Sequence, residues 1–283
     1  MISYLEERIN CENVIKFADK NVKKKVISQE KQIQQLVVDN VPVAFEIINY
    51  NDNKNYIKKN NDQPNDNLWL QQLFDIFDFM TEANYTGFEI FPYLYGVLNC
   101  HENENSKLYV YYEMFQGNLI DLINNIEHPS EWYDIAFQVI MINYYIETVS
   151  GYVYGGGILQ NHLYKKLDKP YYKEYDFNGT KISVNHKYLI VLWNIDYIAR
   201  ISNEKDNGIP CVTNNIAFLL KYLSDNKETI KILPSNRILK LLNDITNNPT
   251  ETQNILLQYY GIPSVSSQTD KSNIPKIKDQ NSE

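Results

Sequence analysis

Glycine is scarce in this chain of 283 residues, and none occurs before Gly87. The early strands therefore cannot approach a phosphate through a glycine-rich turn, which excludes a glycine-rich nucleotide loop from the first third. Cysteine is scarcer still. Cys11, Cys100 and Cys211 lie far apart and make neither a CxxC pair nor a disulfide framework, so three separate thiols in a reducing compartment are expected. No apolar run approaches the length of about 20 residues that a membrane helix needs. The opening Met1-Ile2-Ser3-Tyr4-Leu5-Glu6-Glu7 also lacks the basic-then-apolar pattern of a secretory signal. These absences predict a soluble, intracellular protein without a membrane partner.

Excess positive charge is missing too. The formal net charge is -8, and an acidic surface repels phosphates, so no general affinity for nucleic acid is expected. Lys23-Lys24-Lys25 reads as a solvated run at a strand edge. His101, His128, His162 and His186 are dispersed without metal-ligand spacing, and His162 reads as a core residue. No Ser or Cys stands in a nucleophile context. Gly155-Gly156-Gly157 is followed by no Lys-Ser/Thr and opens no βαβ unit, so it is not a phosphate-binding loop. Asn178-Gly179-Thr180 reads as a hairpin turn.

What the chain does have is tyrosine, 23 residues of it, and clear apolar periodicity. Ile33–Val38, Val41–Ile48, Tyr93–Leu98 and Lys107–Tyr112 read as strands, and Lys187–Trp193 as a buried strand. Leu70, Leu73, Phe74, Phe77 and Met80 have helical spacing. Asn49–Asn67 is polar and turn-rich. From Leu119 helices dominate: Leu119–Ile126, a long one through Ile135, Val139, Ile142 and Ile146, then Asn214–Leu223 and Asn236–Ile245. Tyr144-Tyr145 and Tyr171-Tyr172 suit either a partner interface or amphipathic elements. The plan is α+β and two-lobed. A strand-rich N-lobe spans 1–112, a helical C-lobe 113–263, and a flexible tail 264–283.

The order of elements and four local motifs resemble the protein kinase fold, and most of all the compact, divergent kinase-like proteins of large DNA viruses. The run Leu108-Tyr109-Val110-Tyr111-Tyr112-Glu113-Met114-Phe115-Gln116-Gly117-Asn118-Leu119 looks like a kinase's fifth strand, hinge and entry to the next helix. The long helix is followed by Tyr154-Gly155-Gly156-Gly157-Ile158-Leu159-Gln160-Asn161, at the spacing of the catalytic loop H-R-D-x-x-x-x-N. There Tyr154 falls on the His, Gly156 on the catalytic Asp and Asn161 on the Asn. Leu192-Trp193-Asn194-Ile195-Asp196 resembles the approach to D-F-G, with Asn194 for the metal-binding Asp and Asp196 for the Gly. Val43-Ala44-Phe45-Glu46 stands in the place of V-A-I-K, with Glu46 for the Lys.

These replacements imply lost chemistry. Kinases work by positioning and charge neutralisation through a Lys, an Asp-bound metal and an Asp that orients the hydroxyl. Gly156 has no side chain to accept a proton. Glu46 would place a like charge beside the phosphates, which costs roughly 4 kcal/mol at about 4 Å in an intermediate dielectric. Asn194 is a poorer ligand for Mg²⁺ than a carboxylate. The resemblance thus implies an inactive kinase-like protein without cofactor or metal. It would act by binding another protein, either an active kinase or a component of a virus particle. The alternative is a divergent ATP-dependent kinase or nucleotidyl transferase with a metal site rewired through Asp196 and Asn161. A third reading is an α+β interaction module whose motif matches are accidental.

Overall fold

The computed structural model describes residues 22–28, 33–38, 41–49, 66–85, 89–102, 105–148, 152–154, 159–177, 179–193, 198–200 and 211–261. The expected tail lies outside them, as does most of the polar segment 49–67.

The first half is a five-stranded antiparallel sheet in the order β1-β2-β3-β5-β4. Its strands are β1 (Val22–Ser28), β2 (Ile33–Val38), β3 (Val41–Asn49), β4 (Leu94–Glu102) and β5 (Asn105–Glu113). Helix α1 (Asp66–Tyr85) runs between β3 and β4 in sequence. Alternation along the strands sorts side chains to two faces. Ile33, Ala44, Leu108, Val110 and Tyr112 join the main core with Leu73, Phe77, Met80 and Ala83 of α1. Leu36, Val43, Phe45, Cys100 and Tyr109 form a second cluster on the other face. Phe45 stacks on Tyr109 with centroids 5.7 Å apart and tilts against Tyr111 at 5.0 Å. Burial on both faces explains why β3 and β5 read as near-continuous apolar runs.

Cys100 is disulfide-bonded, and its partner lies outside the described side chains. This corrects the expectation of three separate thiols. The reducing-compartment reading loses its basis with it, since disulfides persist in oxidising surroundings.

The second half is built around α3 (Glu131–Thr148). Trp132, Ile135, Ala136, Phe137, Val139, Ile140 and Ile146 are fully buried. A helix apolar on nearly all sides belongs in the middle of a core, and each such large side chain contributes about 1.5–3 kcal/mol. Before it come β6 (Gly117–Asn118) and α2 (Leu119–Asn124). Asn118 caps α2 in a reciprocal box with Asp121, so this helix begins where a backbone-satisfying side chain allows it.

After α3 come β7 (Tyr152–Tyr154), a 3-10 turn (Leu159–Asn161), β8 (His162–Phe177), β9 (Thr180–Leu192) and β10 (Ile198–Arg200). Then follow α4 (Cys211–Asp225), α5 (Asn236–Asn247) and α6 (Thr252–Tyr260). Strand β7 pairs with β10, and β8 forms a long hairpin with β9 that bulges between Lys166 and Tyr171. Gly179 turns this hairpin at φ 89°, a conformation that disfavours any side chain. The hairpin lies along α3, and α6 packs on β9. Among the described residues no helix is long and apolar enough to cross a membrane.

Candidate functional site

The junction of the two halves is held by four kinds of contact. Asn84, buried near the end of α1, accepts from the N–H groups of Ile90 and Phe91 and donates to the carbonyl of Phe91 at 2.9 Å. That fixes the turn before β4 and offers the Ile90 carbonyl to Leu192 N–H at 2.6 Å. The Tyr112 ring of β5 meets the Trp193 ring edge-on, with centroids 4.6 Å apart. At the end of β5 the Glu113 carboxylate pairs with Lys165 of β8. The connecting strand continues the grip, since Gln116 N–H donates to the Tyr164 carbonyl and Lys166 N–H to the Gln116 side chain. At Gly117 a Cβ would stand 2.8 Å from the Asp121 carboxylate oxygen that accepts from Asn118 N–H, so a side chain there would press on that cap.

Of the positions that the kinase resemblance singles out, Glu46, Tyr154 and Asn161 lie among the described residues. Glu46 lies on the inner face of β3, 4% exposed, directly opposite Ile33 on one side and Val110 on the other. Asn161 ends the 3-10 turn, buried, and its carbonyl accepts from Trp193 N–H at 2.6 Å. Tyr154 pairs with Ile198 across β7 and β10. The described residues that flank Gly156 are therefore joined to those that flank Asn194 and Asp196, by one strand pair and one hydrogen bond. Gly156, Asn194 and Asp196 themselves lie outside the described residues. Among the described residues no three of His, Cys, Asp and Glu converge as metal ligands would.

A second cluster was invisible to sequence spacing. Asp134 of α3 is buried and accepts four hydrogen bonds. They come from Gln138 Nε2 at 2.6 Å, His186 Nδ1 at 2.7 Å, Lys187 N at 2.7 Å and Tyr188 N at 3.2 Å. A carboxylate only accepts, so His186 carries a proton on Nδ1, and its Nε2 is hydrogen-bonded to the Tyr175 hydroxyl at 2.8 Å. Burial, then the neighbouring Tyr171 and Asp134, push the Tyr175 hydroxyl well above the usual tyrosine range. That hydroxyl stays protonated and is no nucleophile. The chain of carboxylate, imidazole and phenol fastens the β8–β9 arm to α3. Gln138 extends the seam by donating to the Tyr188 carbonyl and accepting from Ile190 N–H.

Glu131 adds another bolt, accepting from the Tyr188 hydroxyl at 3.0 Å. Burial alone would raise its pKa. The Glu127 N–H, the Tyr188 hydroxyl and Lys187 outweigh that and hold it below the usual range. His162 is 1% exposed, in keeping with a core position. The two tyrosine pairs separate: Tyr145 is buried, whereas Tyr171 and Tyr172 are exposed.

The fold and this junction define an α+β protein whose strand-rich half meets a helical half at a short link after Glu113. No family model matches the chain. It is 45% identical over 273 residues to the uncharacterized protein R691 of Acanthamoeba polyphaga mimivirus, covering 92% of this chain and 96% of that one. The chain belongs to the same family, which places it among proteins of giant viruses.

Proposed function

We propose that the chain is a kinase-like protein without phosphotransfer activity, acting by binding another protein. That partner is an active kinase it regulates or a component of a viral particle or assembly. The observation that carries the reading is Glu46. A carboxylate is buried on the inner face of the third strand, where the kinase resemblance expects the phosphate-pairing lysine. Further support comes from the five-stranded sheet, the helix between its third and fourth strands, and the link that leaves the fifth strand at Glu113. The long helix, the turn ending at Asn161 and the two strands after it follow in the order the resemblance implies. With Gly156 and Asn194 at two further charged positions, the reading leaves Asn161 as the one retained polar group.

The competing reading, a divergent kinase or nucleotidyl transferase, requires nucleotide to bind the native protein. A thermal-shift titration with ATP and Mg²⁺ or Mn²⁺ separates the two. A ligand at a hundred times its Kd stabilises by about 2.7 kcal/mol, so an ATP site filled at millimolar nucleotide gives a clear upward shift. The proposal expects none.

A further inference from the structure

The outer face of the five-stranded sheet, turned away from α1, is buried although no described element lies over it. Leu36, Val43, Phe45, Cys100 and Tyr109 are 0–6% exposed, and every member of this cluster comes from the sheet itself. Side chains on one face of a sheet pack sideways on each other but leave their tips to whatever lies above. Such burial therefore requires a covering layer. Helix α1 serves the main core on the opposite face.

Cys100 points to the cover. Its disulfide needs a second cysteine, and the sequence offers Cys11 and Cys211. A disulfide joins residues whose Cα atoms lie within about 7 Å. Cys211 opens α4, which packs on α3, α5 and the 3-10 turn of the second half. The Leu94 end of β4 is the one next to Glu113 and the junction. Cys100 lies six residues further on, so the strand carries it about 20 Å away from the second half. Cys11 stands 11 residues before Val22, the first residue of β1. That length of chain spans up to about 36 Å, and the four strand spacings from β1 across to β4 amount to about 19 Å. The sequence around Cys11 also suits a cover, since Cys11, Val14, Ile15 and Ala18 recur at the spacing of one apolar helix face.

We propose that residues 1–21 dock on the outer face of the sheet through this apolar stripe, held there by a Cys11–Cys100 disulfide. The bond forms as the two thiols give up two protons and two electrons to a disulfide-bearing oxidant, which leaves as a dithiol. The outer face is then an occupied interaction surface, and a partner protein reaches it only by displacing the segment. None of this depends on the kinase resemblance.

The test uses the full chain, unreduced, with free thiols blocked by N-ethylmaleimide before proteolysis and mass spectrometry. The expected product joins a Cys11 peptide to a Cys100 peptide and carries the blocking group on Cys211. A Cys100–Cys211 link, or a blocked Cys100, overturns the proposal. A Cys11–Cys100 link that runs at twice the chain's mass on a non-reducing gel assigns the face to a second copy and also overturns it. Docking is read separately in the same oxidised chain, with ¹³C-labelled methyl groups on isoleucine, leucine and valine. Magnetisation transfer is expected from the Val14 or Ile15 methyls to those of Leu36 or Val43. Its absence overturns the docking even where the link is found.

Discussion

Replacing Asp134 by alanine removes one carboxylate and strands four donors at once. Two are the backbone N–H groups of Lys187 and Tyr188, at 2.7 and 3.2 Å in the folded protein, and neither can turn away from the seam. The others, on Gln138 and His186, sit on side chains that can rotate toward other acceptors. A buried donor left without a partner costs about 1–3 kcal/mol. The two fixed N–H groups alone therefore give about 4 kcal/mol. Asp134→Asn keeps one acceptor oxygen and should cost about half as much. Urea unfolding followed by circular dichroism measures the loss, and amide hydrogen exchange locates it. Protection should fall first at Lys187, Tyr188 and Ile190. An Asp134→Ala protein within about 1 kcal/mol of the parent, with those amides still protected, would refute the reasoning.

Other consequences concern pH and local backbone. The Tyr111 hydroxyl is pushed up to about 12, by burial first and then by Tyr109, and Tyr171, Tyr175, Tyr188 and Tyr260 are also raised. The folded state thus holds protons that the unfolded chain gives up near pH 10, so this stability is fully present below about pH 10 and declines above it. A urea midpoint that stays flat between pH 9 and 11.5 would contradict this. Gly179→Ala forces a side chain into φ 89° although nothing lies within 4 Å of the new Cβ, so backbone strain alone should cost about 1–2 kcal/mol. Asn118→Ala removes the cap that Ile120 and Asp121 use and should cost about 1 kcal/mol, read as a lowered melting temperature.

The elements that sequence made legible are those with a plain period. Ile33–Val38, Val41–Ile48 and the helix through Phe77 and Met80 all formed, because each buries a face that its own apolar residues define. The β8–β9 arm was legible only at its base and at the Gly179 turn. Along Lys165-Lys166-Leu167-Asp168-Lys169-Pro170 no apolar face alternates, and Pro170 argues against a strand. The register shift between Lys166 and Tyr171 accommodates it, and beyond it Phe177, Ile182, Val184 and His186 are the buried positions. The clamp on Asp134 had no signal, because its partner His186 is 52 residues away and folding alone brings them together. Motif spacing singles out Glu46 and Asn161, and both are buried, which spacing does not show.

The central proposal is that the chain, for all its resemblance to kinases, carries out no phosphoryl transfer. Its most direct test incubates the purified full chain with labelled ATP, Mg²⁺ or Mn²⁺ and generic protein acceptors, and counts transferred phosphate. The account predicts incorporation no greater than in a blank without the protein. Turnover that disappears in Asn161→Ala or Asp196→Ala would contradict it.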